Sequence, residues 1–188
     1  MSGRRSGGEG DSLEALLADA VAAEAARQRS GERMLRQAAA EEATFAGVLV
    51  DLAERGERVA VRTVGGRVHR GVVRAVGRDF AVVQSETRTS TDTGGPRVFV
   101  RLAAVTSVRT TDTPADVTGD RRPPLDTSLA AVLGGLAPDR PRVQVGVAGE
   151  GAYITGELVS AGFDVLVLRR PTTVTPVGAI AEVVVLDR

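Results

Sequence analysis

Hydrophobic and polar positions alternate most regularly between Arg58 and Val83. Val59, Val61 and Thr63 interleave with Arg58, Ala60 and Arg62, and Gly65-Gly66 makes a turn. Val68, Gly71, Val73, Ala75 and Val76 then carry a second run. This period of two, broken by a glycine pair, predicts a β-hairpin. A third run, Phe80-Ala81-Val82-Val83, follows a turn at Gly77-Arg78-Asp79, and further runs near 97–101 and 105–110 complete a set of five predicted strands. Gly71 and Gly77 allow the second strand to bend sharply, so five short strands are expected to close into a small barrel over residues 57–110.

Ahead of this region the period changes to that of a helix. Leu13, Leu16, Leu17, Ala20 and Val21 recur at helical spacing, and Asp11 with Glu14 supplies a start signal, which predicts a helix from about 12 to 29. Ser30-Gly31 is expected to interrupt it. A second helix is predicted from about Glu32 to Arg55, with Met34, Ala38, Phe45, Val48, Leu49 and Leu52 on one face and Gly56 beyond its end. The helical region spans 11–56, and its face serves either to cover the open end of the barrel or to self-associate. Residues 1–10, made of Gly, Ser and charge with few apolar side chains, read as a disordered tail.

The pattern then repeats. Residues 111–127 hold Pro114, Pro123 and Pro124 without periodicity and read as a linker. Leu129, Val132, Leu133 and Leu136 form a short apolar helix stopped by Pro138. Val143, Val145 and Val147 match the first strand, and Gly156, Gly162 and Asp164 fall where Gly71, Gly77 and Asp79 fall. Residues 128–188 therefore read as a second copy of a helix followed by a barrel. The two copies are expected to pair within one chain, each satisfying an exposed strand edge of the other.

Composition narrows the chemistry. The chain has 188 residues, no cysteine and a single histidine, His69, which excludes disulfides and thiolate metal sites and leaves too few soft ligands for zinc. No apolar run approaches the roughly 18 residues of a membrane span, and the start lacks an apolar leader segment, so a cytoplasmic location is expected. All 24 basic residues are arginine, balanced by 24 acids. The balance is local: residues 44–110 carry 11 arginines against 6 acids.

These residues resemble the Sm-like superfamily. The resemblance lies in the apolar strand, glycine-centred bend and Asp before a third strand over Val59 to Val83, and in VFVRLAAVTSV at 98–108. The layout also resembles uncharacterised actinobacterial proteins with an N-terminal helical region and Sm-like domains. The resemblance implies a mainly β fold with N-terminal α structure, built from two tandem five-stranded Sm-like barrels, each preceded by a helix. Family members that bind RNA use an Asn shortly after the Asp and a Gly after the Arg of the second motif. Here Phe80, Ala81 and Val82 follow Asp79, and Leu102 follows Arg101.

No paired carboxylates, nucleophile elbow or phosphate-binding glycine loop is present, and His69 has no acidic partner near it in sequence, so the chain does not read as an enzyme and no cofactor is expected. Gly71, Gly77, Asp79, Gly156, Gly162 and Asp164 read as structural turn residues. The candidate binding residues are Arg58, Arg62, Arg67, Arg70, Arg74, Arg78 and Arg101, with Arg97 beside them. Arg58 and Arg62 share a strand face, as do Arg70 and Arg74. Two functions are expected to compete. One is a protein-interaction or scaffold module acting through the N-terminal helices or barrel edges, and the other is RNA or DNA binding on the arginine-rich face of the first barrel.

Overall fold

A computed structural model describes residues 8–86, 95–111, 119 and 125–187. The chain divides into two compact units, residues 1–42 and 43–188. Of the expected disordered tail at 1–10, residues 8–10 belong to a helix, while 1–7, the loop at 87–94 and most of the expected linker lie outside the described residues.

The first unit is one helix, α1 (Gly8–Glu42), which runs without a break through Ser30-Gly31. A single mid-helix glycine costs only about 1 kcal/mol, too little to stop a segment otherwise rich in Ala, Leu, Glu and Arg. Helix α2 (Phe45–Arg55) begins instead at Thr44, an extended residue whose hydroxyl accepts a hydrogen bond from the Gly47 N–H at 3.0 Å. Gly56 ends α2 in the left-handed conformation, at φ 65°.

The second unit carries β1 (Arg58–Thr63), β2 (Val68–Val76), β3 (Phe80–Ser85), β4 (Arg97–Arg101) and β5 (Val105–Thr110), then α3 (Leu129–Leu136). It ends with β6 (Arg142–Val147), β7 (Tyr153–Ala161), β8 (Val165–Arg169), β9 (Thr173–Pro176) and β10 (Ile180–Asp187). The strands lie where the alternation predicts them; their assembly differs from the expectation. All ten form one antiparallel sheet in the order β5-β1-β2-β3-β4-β10-β6-β7-β8-β9. The expected pair of closed five-stranded Sm-like barrels is therefore not what the chain forms. It is an α/β protein with a single open sheet. The physical reason lies at β4. Its free edge, which would have to return to β5 to close the first half, is hydrogen-bonded to β10 instead, with Val183 opposite Phe99 and Val184 opposite Val98. Edge amides and carbonyls need partners, and here the other half of the chain supplies them.

A repeated pattern is visible in the ladder. Read from β5 to β4 and then from β10 to β9, both halves place their fifth, first, second, third and fourth strands in the same order. Val59 stands opposite Gly71 as Val143 stands opposite Gly156. Each second strand has an irregularity at the matching place, Val73/Ala75 and Leu158/Ser160. The backbone bond from Gly77 N–H to Phe80 C=O has its counterpart from Gly162 to Val165, both at 2.8 Å.

Two cores form on opposite faces of this sheet. Residues directly opposite in a ladder share a face, and neighbours along a strand do not. One face gathers Val59, Val61, Val73, Val83, Val98, Val100 and Val184 under Leu49 and Leu52 of α2. The other gathers Val143, Val145, Leu158, Leu166, Leu168 and Val183 under Leu129 and Leu133 of α3, joined by Phe80 and Phe99 from the first half. Consecutive residues Val183 and Val184 of β10 thus belong to different cores. The sheet must curl one way and then the other to wrap both.

Candidate functional site at the junction of the repeats

Glu182 is the one acid inside the apolar run of β10, and it is completely buried. It lies opposite Val100 of β4 and Gly146 of β6, on the face that holds the first core. Across that face the first half brings Thr63, Arg67 and His69. The Arg67 Nη1 donates to Glu182 Oε1 at 3.1 Å, and Arg67 Nη2 donates to the carbonyls of Gly151 at 2.9 Å and Glu150 at 3.3 Å. The Tyr153 hydroxyl donates to the same Glu182 oxygen at 2.9 Å, and the Arg67 guanidinium stacks 4.1 Å from the centre of the Tyr153 ring. The His69 Nε2 lies 3.1 Å from Glu182 Oε2, a close contact without well-aligned hydrogen-bond geometry at either atom.

Curvature makes this meeting possible. His69 on β2 and Glu182 on β10 are separated by β3 and β4, three strand spacings or about 14 Å in a flat sheet, yet their side chains touch. Gly146 is required there because a Cβ would lie 2.7 Å from Arg67 Nη1 and 2.8 Å from Glu182 Cγ.

Burial alone would raise the Glu182 pKa. The polar neighbours His69, Thr63 and Tyr153 outweigh it and hold the carboxyl down at about 2. The Tyr153 hydroxyl is displaced the opposite way, upward, first by burial and then by the adjoining Glu182 charge. At neutral pH the site is therefore an ionised carboxylate with its partners already in place. A carboxylate so engaged holds structure together and has no proton to give as a general acid. Among the described residues no group of three or more His, Cys, Asp or Glu is placed to hold a metal.

Of the arginines singled out by the sequence, Arg58, Arg62 and Arg70 lie together on one face of β1 and β2, Arg70 standing opposite Ala60 between the other two. Arg67 belongs to the buried cluster. Arg78 pairs with Asp126 at 2.7 Å, Arg58 with Glu86 at 3.0 Å, and Arg101 donates to the Val177 carbonyl at 3.0 Å across the β4·β10 junction. Arg62, Arg70, Arg74 and Arg97 are exposed. Asp79 caps the other half of the chain, its Oδ1 accepting from the Leu129 N–H of α3 at 2.8 Å, whereas Asp164 is exposed. Gly71 sits where a Cβ would lie 1.9 Å from the Gln84 carbonyl oxygen, and Gly77 where one would lie 2.1 Å from the Phe80 ring. Gly156 and Gly162 stand at the matching places of the second half and are less tightly enclosed. Glu182 went unmarked in the sequence, although an acid flanked by Ile180, Ala181, Val183 and Val184 signals a buried pair.

The two outer edges differ from the inner junction. Val174 of β9 matches Phe99 of β4 in the ladders, yet Val174 is 63% exposed and Phe99 5%. Val108 and Val105 of β5 match Val183 and Ile180 of β10; the former are half-buried and the latter fully buried.

No family model, curated protein or solved structure matches this chain. With the sheet open, the expected Sm-like assignment has no support, and the scaffold function and its nucleic-acid alternative lose the pair of closed barrels on which they were based. No helix among the described residues is long and apolar enough to cross a membrane.

Proposed function

We propose that the chain is a non-enzymatic assembly protein whose open sheet is extended end to end by further copies of itself. The β9 edge of one molecule pairs antiparallel with the β5 edge of the next, in the register that β4 and β10 use within the chain. That register sets Val174 opposite Val108, Thr175 opposite Ser107 and Thr173 opposite Arg109. The observation that carries the reading is the contrast between Phe99, covered by β10, and its counterpart Val174, left bare at an unpaired edge. Pro176 matches Arg101, which lies beyond the four paired positions of β4, so its missing N–H costs the ladder nothing. Non-enzymatic action is supported by the pairing of Glu182 with Arg67 and Tyr153 in a site closed to water. The contact is head to tail, so it builds a ring or a filament.

Sedimentation of the purified chain at rising concentration tests this. Mass above that of one chain is expected, and Val174→Arg should return the protein to monomers. A wild-type chain that stays monomeric at its highest attainable concentration overturns the proposal.

A further inference from the structure

The inner junction is specified by charge, and the same positions at the outer edges carry charge of reversed placement. Inside the chain, the turn between β1 and β2 supplies a cation, Arg67, and the facing strand β10 supplies the acid Glu182. Transferring the ladder registers to a β9·β5 contact replaces Glu182 by Ser107, Arg67 by Ala152, His69 by Ile154, and Gly146 by Arg62 of the neighbouring copy. Arg62 is exposed. At the inner junction its position must be glycine, because Arg67 fills the space; at the outer one Ala152 leaves that space empty.

The turn that would border the vacated space carries an acid. In the inner junction a Cβ on Gly65, at the tip of the β1–β2 turn, would lie 2.9 Å from Arg67 Nη1, and a Cβ on Gly146 would lie 2.7 Å from the same atom. Turn tip and strand position therefore converge on one point. The corresponding turn of the second half, Ala148 to Ala152, is one residue longer; it carries the exposed Glu150 two residues before Ala152, as Gly65 stands two residues before Arg67. The small residue at 152 matters as much as the acid, since an arginine there would set two guanidinium groups against each other.

From this convergence we infer that an ion pair between Glu150 of one copy and Arg62 of the next selects β5 of a second copy as the partner of the β9 edge. The inference rests on the edge pairing proposed above. It also assigns direction. The β9 end presents an acid with a bare Val174, and the β5 end presents a cation with a half-buried Val108, so like ends do not match.

Charge reversal tests it, with sedimentation as the readout on the full chain. Arg62→Glu and Glu150→Arg should each weaken self-association about tenfold or more, as close charge pairs at interfaces do, and the double variant should recover most of the loss. Both positions are exposed, so the variants are expected to fold, which circular dichroism checks. If the wild type associates and Val174→Arg abolishes it while both charge reversals leave it unchanged, the ion pair is wrong and the edge pairing stands. If the single variants weaken association and the double does not recover, the two residues do not contact each other and the inference fails. A monomeric wild type removes both proposals.

Discussion

Arg67 and Glu182, 115 residues apart in the chain, meet at 3.1 Å on the inner side of a sheet that contains them both. Arg67 comes from the first repeat and Glu182 from the last strand of the second, so their contact reports that both halves are folded and correctly paired. The pair is almost closed to water, with 14% exposure at the arginine side chain and none at the glutamate. Removing one partner from such a pair costs about 3–5 kcal/mol, because the other is left charged and buried. Glu182→Ala is expected to lose stability of that order in chemical denaturation, and Arg67→Met, which leaves the fully buried carboxylate without its guanidinium, to lose at least as much.

Acid should act through the same carboxylate. Its folded pKa, about 2, lies below the ordinary value of 4.5. A depressed pKa contributes stability that is fully present above about pH 4.5 and is lost as pH falls toward 2. The contribution is of order 3 kcal/mol. Denaturation midpoints measured between pH 6 and pH 2 should therefore fall in the wild type, and Glu182→Gln should flatten much of that decline while lowering stability at neutral pH.

Tyr153→Phe removes a hydrogen bond to a charged acceptor and leaves the ring under Arg67. A loss of about 1.5–3 kcal/mol is expected, read as a lower thermal midpoint without any change in secondary-structure content. No change in midpoint would show that the hydroxyl is replaceable by water.

Two glycines should rank in a predictable order. At Gly71 an added methyl would overlap a backbone carbonyl oxygen that the ladder holds in place; at Gly156 the nearest contacts are 3.0 Å. Gly71→Ala is expected to prevent stable folding, and Gly156→Ala to cost about 1–3 kcal/mol through strain. Comparable stabilities in urea would mean that β2 can move away from β3.

Much of the fold was legible because strand alternation is local. Val59, Val61 and Val73 announce a buried face by spacing alone, and Gly77 and Gly162 announce turns. The helix boundary was harder to place, since Ser30-Gly31 looks like a break whereas Thr44, the real cap, has no glutamate three residues on to mark a capping box. Closure of the sheet was not legible at all. Whether β4 returns to β5 or passes to β10 depends on which edge reaches its amides first, and either answer leaves the same hydrophobic pattern. The candidate site suffered likewise. His69 seemed to lack an acidic partner because the partner lies in β10, and Arg67 looked like one more exposed arginine until the curl of the sheet turned it inward.

The alternation of Val183 and Val184 between two cores has a consequence for how this duplicated chain can change. Each half lends the other a wall: Phe80 and Phe99 seal the second core, and Val184 closes the first. A single-residue insertion in β10 would exchange those faces, sending Glu182 among valines and emptying the polar cluster. Neither half buries its core without the other. Cut between β5 and α3, they should behave as complementary fragments that are poorly folded apart and regain structure when mixed, each acting as the missing wall of the other.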